Sequence, residues 1–106
     1  MIVLRVCYKS GLRFDEGYYV AKHLPLSKSV CGPYGLKRIE MVKFGPAPDG
    51  AMPDYQVMFS AYFASMEDFS RLIQSPRLAE LQADIPKYHD GMPDMMVGEV
   101  MELAGK

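Results

Sequence analysis

The sequence predicts an α+β domain with the order βαββαβ: a four-stranded antiparallel sheet carrying its helices on one face. Three observations give that order. Ile2 to Tyr8 and Asp54 to Phe63 alternate side-chain character with the period of two expected of strands. Each is followed by a capping residue and an apolar stripe at helical spacing. A run too rich in proline and glycine for regular structure, Gly45 to Pro53, separates the two strand–helix–strand halves.

Each element follows from its residues. In the first strand Ile2, Leu4, Val6 and Tyr8 share one face, with Val3, Arg5 and Cys7 on the other. Lys9 to Arg13 is a loop, and Asp15 is the expected N-cap of a helix running to about Leu24. Pro25 lacks a backbone donor and restricts Leu24, so the helix is expected to kink or restart there. Gly32, Pro33 and Gly35 close this region. Leu36 to Phe44 forms the second strand, with Lys37, Arg38, Glu40 and Lys43 interleaved among apolar residues. The third strand, from Asp54 to Phe63, sets Tyr55, Val57, Phe59, Ala61 and Phe63 on one apolar face. Ser65 and Asp68 have the spacing of a capping box, ahead of a stripe of Phe69, Leu72 and Ile73. Ser75 and Pro76 read as an N-cap and N1 proline for a further segment through Leu78 and Leu81, ended by Pro86. Met95 to Leu103 is the last strand, with Met95, Val97 and Met101 on one face and Met96 and Val100 on the other.

The 106 residues make one domain, 1–106, able to bury about two thirds of the unfolded surface. A net charge of -1 offers no electrostatic footprint for nucleic acid or an anionic membrane. No apolar run reaches membrane-spanning length, and no basic-then-apolar leader opens the chain, so a cytoplasmic protein is expected. Cys7 and Cys31 lack metal or redox spacing and read as free buried thiols. No metal-binding or phosphate-loop pattern occurs, so neither a metal nor a nucleotide cofactor is expected. The nine methionines read as adaptable filler, and they also suit a loosely selective apolar pocket.

Helices on one side leave the other sheet face uncovered. There the third strand offers Gln56, Met58, Ser60 and Tyr62, and the last strand Met96 and Val100. This is too apolar for bare solvent and too polar for a dry core, so a two-fold homodimer through that face is expected.

The candidate chemistry centres on His23, whose unperturbed pKa near neutrality suits a general acid or base. The competing reading is a structural histidine bonded to a carbonyl freed by Pro25. Tyr19 lies one helical turn before His23 and is its expected partner. Tyr18 points about 100° away from Tyr19. Phe14, Tyr18 and Tyr62 are the candidate ligand-contacting aromatics, with aromatic packing as the alternative for each. Tyr55 and Tyr62 are placed on opposite faces of their strand. Asp84 is expected to cap or pair structurally, and His89, in a presumed loop, to be exposed.

The segment from Phe14 to Leu26 reads F-D-x-x-Y-Y-x-x-x-H-x-P-L and resembles the signature of the EthD family. Pro53-Asp54-Tyr55, Phe69 and Asp84-Ile85-Pro86-Lys87-Tyr88 extend the resemblance along nearly the whole chain. It implies a dimeric α/β barrel, in a family named for an association with ethyl tert-butyl ether degradation. It further implies cofactor-independent chemistry on a small, apolar, oxygenated organic molecule: isomerisation, dehydration or oxygenation, with His23 as acid or base and Tyr19 assisting. A non-catalytic binding or accessory role is the alternative. Haem handling, which some barrel relatives perform through a histidine ligand, is a third reading.

Overall fold

The computed structural model describes residues 1–104. Four strands, β1 (Ile2–Lys9), β2 (Leu36–Lys43), β3 (Tyr55–Phe63) and β4 (Asp94–Glu99), form one antiparallel sheet in the order β2-β3-β1-β4. With the helices between β1 and β2 and between β3 and β4, this is the ferredoxin-like plan. β4 is shorter than expected. It ends at Glu99, beyond which Val100 only donates its N–H to the Met1 carbonyl.

Register fixes which side chains face the helices. Val6 pairs with Phe59 and Met95, and Leu4 with Ala61 and Val97, so one apolar face runs across β3, β1 and β4. Ile2, Val6, Tyr8, Val57, Phe59 and Phe63 on this face are buried in the core. Tyr55 departs from the expected alternation. The β1–β3 register shifts between Tyr8 and Lys9, where Gln56 is the extra residue. The bulge turns Tyr55 away from Val57. Its hydroxyl instead donates to Asp94 (2.7 Å), which pairs with Cys7 of the opposite face.

The first helical stretch starts at Asp15, whose carboxylate accepts the N–H of Tyr18 at 3.1 Å. It consists of α1 (Glu16–Tyr18), a π-helical turn (Tyr19–His23) and α2 (Leu24–Cys31). Pro25 occupies the first turn of α2, where its missing N–H costs nothing, so the helix restarts as expected. The added feature is the wide turn before it, in which the Leu24 N–H reaches back to the Tyr19 carbonyl. A 3₁₀ turn (Gly32–Tyr34) and Gly35, at φ +69°, lead into β2. A Cβ on Gly35 would strike the Asp68 carboxylate, so glycine is required there by both conformation and space.

After β3, Ser65 caps α3 (Met66–Ile73) by accepting the Asp68 N–H at 3.1 Å. Phe69 and Leu72 are buried, whereas Ile73 is half-exposed at the rim of a cavity rather than part of the buried stripe. Ser75 accepts the Arg77 N–H ahead of α4 (Leu78–Asp84), and Pro86 sits in a 3₁₀ turn (Ile85–Lys87) instead of ending the helix outright. On the uncovered sheet face, Val3, Cys7, Ser60 and Tyr62 are already buried within the single chain, under longer neighbours. The Arg38 guanidinium lies 4.3 Å above the Tyr62 ring, and the Tyr62 hydroxyl donates to Glu40 (2.8 Å). Cys7 and Cys31 are free and buried. Among the described residues no helix is long and apolar enough to cross a membrane, and no cluster suited to a metal ion occurs.

Candidate active site

Between the helices and the β1–β4 half of the sheet lies a cavity of about 300 Å³. Its walls are mainly aliphatic and aromatic, including Leu4, Val6, Phe59, Leu72, Leu78 and Val97, and its polar wall groups include Tyr8, Tyr19 and His23. Met95 and Val97 are half-exposed at the β4 edge, where the helices leave the sheet uncovered.

The polar side of this cavity is a connected set of side chains. His23, buried at the end of the π turn, places Nδ1 2.9 Å from Asp84 Oδ2. The other carboxylate oxygen of Asp84 accepts the Tyr18 hydroxyl at 2.7 Å. Nε2 of His23 lies 3.3 Å from the Tyr88 hydroxyl, which is 2.7 Å from the Tyr8 hydroxyl. The Tyr19 ring stacks on the imidazole, with centroids 5.3 Å apart and planes at 21°. An α-helical turn would already place Tyr19 and His23 on one face, and the π turn rotates the residues after it by an extra position.

Burial pushes the Asp84 carboxyl up, but the hydrogen bonds from Tyr18 and His23 outweigh it and hold it below its ordinary value. Burial pulls His23 below its ordinary value, and Asp84 opposes that only in part. The pair is therefore a neutral imidazole on a carboxylate. A carboxylate accepts only, so Nδ1 carries the proton and Nε2 keeps its lone pair. Burial also raises the phenols of Tyr8, Tyr19 and Tyr88, which stay protonated. Burial pushes the Cys31 thiol up to about 11, so this cavity-lining cysteine holds its proton.

Of the residues singled out in the sequence, His23 and Tyr19 meet at the cavity wall. Tyr18 grips Asp84 from outside the lining. Phe14 packs against Tyr8 and Tyr19, with ring centroids 5.0 Å away in each case, and supports the wall from behind. Tyr62 lies on the opposite face of the sheet, because its alternation puts it in register with Val3. The carbonyl-bonding reading of His23 gives way to a carboxylate partner. His89 is the reverse of its expectation: it is buried, its Nδ1 donates to the Arg13 carbonyl at 2.8 Å, and it pairs with Phe14 in an isolated bridge. Asp84 does pair, and its partner is the candidate base itself. Tyr8 and Tyr88 had no role from sequence; Tyr88 stands four residues after Asp84, and only its tertiary contacts distinguish it.

The family model of the EthD domain matches residues 13–92. The chain belongs to the EthD family. The match contains the whole Asp84–His23–Tyr88 arrangement. An EthD-like protein from Ralstonia eutropha JMP134 is 28% identical, with a TM-score of 0.84 over 98% of this chain and 95% of its own. An EthD family protein from Bacillus halodurans C-125 is 21% identical, with a TM-score of 0.76 over 95% of this chain and 99% of its own. The fold extends to SnoaB, a cofactor-independent oxygenase from Streptomyces nogalater, at 9% identity and a TM-score of 0.65, covering 99% of this chain and 95% of that one. No curated protein matches the chain.

Proposed function

We propose that this EthD protein carries out cofactor-independent acid–base chemistry on a small, apolar, oxygenated organic molecule. The observation that carries the reading is a buried histidine–carboxylate pair at the wall of an otherwise apolar cavity of about 300 Å³. In this reading His23 is the base, Asp84 fixes its tautomer and balances the imidazolium once a proton arrives, and the Tyr19 phenol steadies the developing anion. Proton removal of this kind initiates isomerisation, dehydration or oxygenation, in a degradation or secondary-metabolism pathway. That SnoaB is a cofactor-independent oxygenase on the same fold supports chemistry without a bound cofactor. The uncovered sheet face, with Tyr62 and Met58, serves homodimer formation in the cytoplasm.

The test is replacement of His23 by Gln, with ligand occupancy and turnover measured separately on the compound that co-purifies with, or is selected by, the protein. Turnover falling by about a hundredfold or more at retained occupancy is expected of a lost base. Equal inactivity of both forms at retained affinity supports instead a binding or accessory protein. That second reading has one observation in its favour: both ring nitrogens of His23 are already hydrogen-bonded.

A further inference from the structure

With Nδ1 of His23 on Asp84 and Nε2 on the Tyr88 hydroxyl, neither ring nitrogen is free for a molecule in the cavity. Tyr88 is wholly buried and does not line the cavity, but Tyr8 does. The order Asp84, His23, Tyr88, Tyr8 therefore runs from the buried carboxylate to a phenol at the cavity wall.

The far end fixes the direction of the hydrogen bonds. Asp84 accepts, so Nδ1 donates and Nε2 accepts. Tyr88 must then donate to Nε2, and its oxygen receives the proton of Tyr8. Tyr8 has a single O–H, and it is committed to Tyr88 at 2.7 Å. What remains for the cavity is the lone-pair side of the Tyr8 oxygen, which the Tyr19 hydroxyl also approaches as a hydrogen-bond partner.

We propose that the ligand is an apolar molecule bearing a protic donor, an enol or a phenol, that the Tyr8 oxygen reads that donor, and that its proton reaches His23 through Tyr88. The proposal rests on the acid–base reading above and names its substrate class and route. The transfer balances. The ligand's proton bonds to the Tyr8 oxygen as the original Tyr8 proton passes to Tyr88 and the Tyr88 proton to Nε2. The ligand keeps the bonding electron pair as an oxyanion, and the charge is matched by an imidazolium beside Asp84. Each phenol ends neutral, so no high-energy phenolate of the protein is formed. Tyr8 is the catalytic residue that touches the ligand; Tyr88 is a positioning residue in the relay. Tyr19, whose ring meets that of Tyr8 edge-on at 5.7 Å, is a hydrogen-bond partner of the same hydroxyl and stands beside the ligand's donor.

The experiment uses 4-nitrophenol, whose ionised form has its own absorbance band, and 4-nitroanisole, which lacks the donor. In the wild-type protein 4-nitrophenol is expected to bind about tenfold more tightly, the worth of one hydrogen bond. Its bound form should show a phenolate-to-phenol ratio at least about tenfold above free solution at the same pH, equivalent to one unit of pKa. Tyr8→Phe should equalise the two affinities. Tyr88→Phe should keep the binding preference but lose the excess ionisation, as His23→Gln does. Excess ionisation retained in Tyr88→Phe but lost in His23→Gln overturns the relay and leaves the base reading standing. Equal ionisation in wild type and His23→Gln overturns both. If Tyr88→Phe does not fold, Tyr8→Phe breaks the same route, and full ionisation in it overturns the relay. Failure of the wild type to prefer 4-nitrophenol overturns the ligand class.

Discussion

His23 and His89 are both buried, each packed against rings of one connected aromatic cluster, and differ in what faces their Nδ1 atoms. Their ring centroids stand 4.6 Å from Tyr88 and 5.1 Å from Tyr8, respectively. His23 meets a carboxylate and His89 a backbone carbonyl. A carbonyl fixes the orientation of a ring and supplies no counter-charge. A carboxylate does both, so only His23 has a partner for the positive charge that proton uptake creates. Their Nε2 atoms differ likewise: that of His23 touches Tyr88, whereas that of His89 has no hydrogen-bond partner among the described residues. One histidine is wired to the cavity, and the other clamps the loop before α1 to the segment before β4.

The largest effect expected from this contrast comes from Asp84→Asn, which makes the environment of His23 resemble that of His89. The amide can still accept from Nδ1 but no longer balances an imidazolium. Turnover, or failing a known substrate the ionisation of bound 4-nitrophenol, should fall at least about a hundredfold, within the range ascribed to a general base. Titration with 4-nitroanisole should show the cavity still occupied. If Asp84→Asn behaves as wild type, the carboxylate is not what separates the two histidines.

Next in size is His89→Phe, which keeps an aromatic ring against Tyr8 but removes the donor to the Arg13 carbonyl. Leaving that partly buried acceptor unpaired should cost about 1–3 kcal/mol of unfolding free energy, measured by urea denaturation. Ligand ionisation should be unchanged. A stable variant that has lost ionisation would mean His89 belongs to the chemistry after all.

The outline of the fold was legible because its signals are local. Alternation in β1 and β3, Asp15 and Ser65 as caps, and Pro25 as a restart are properties of neighbouring residues. The errors lie where one residue shifts a pattern or where distant segments meet. Gln56 as a bulge turned Tyr55 to the other face, and no composition marks such an insertion. Ile73 completes an apolar stripe but sits at the cavity rim, because the helices stop short of β4. His23 was legible as a candidate from its type and its spacing to Tyr19. Its chemical character was not, since Asp84 lies 61 residues away and Tyr88 65 away. His89 was misread for the same reason: Tyr8 and Phe14 pack against it, and the carbonyl of Arg13, 76 residues earlier in the chain, orients it.

A smaller effect is expected from Tyr18→Phe. Its hydroxyl donates to the Asp84 oxygen that His23 does not use, and this bond is one of those that hold the carboxyl below its ordinary value. Removing it should lower stability only slightly, because solvent screens a bond at a partly exposed site. The Asp84 carboxyl should rise, a change measurable by carbon-detected NMR titration. An unmoved Asp84 would show that His23 and the Lys87 ammonium, 3.7 Å from Oδ1, hold the carboxylate ionised without Tyr18.

The finest discrimination comes from pH. Both members of the pair have folded-state pKa values below their ordinary ones, so in each case the unfolded chain binds protons more readily than the folded one. Stability is then greatest above the unfolded His value of about 6.5 and declines as pH falls from there through the depressed folded value. The carboxylate adds a second decline that begins near its unfolded value of about 3.9 and continues below it. His23→Gln should flatten the upper limb of the unfolding free energy against pH and leave a lower limb from the carboxylates. If the upper limb instead survives His23→Gln, the acid sensitivity does not belong to His23. The neutral imidazole at the cavity wall would then lose its support as the resting form of the base.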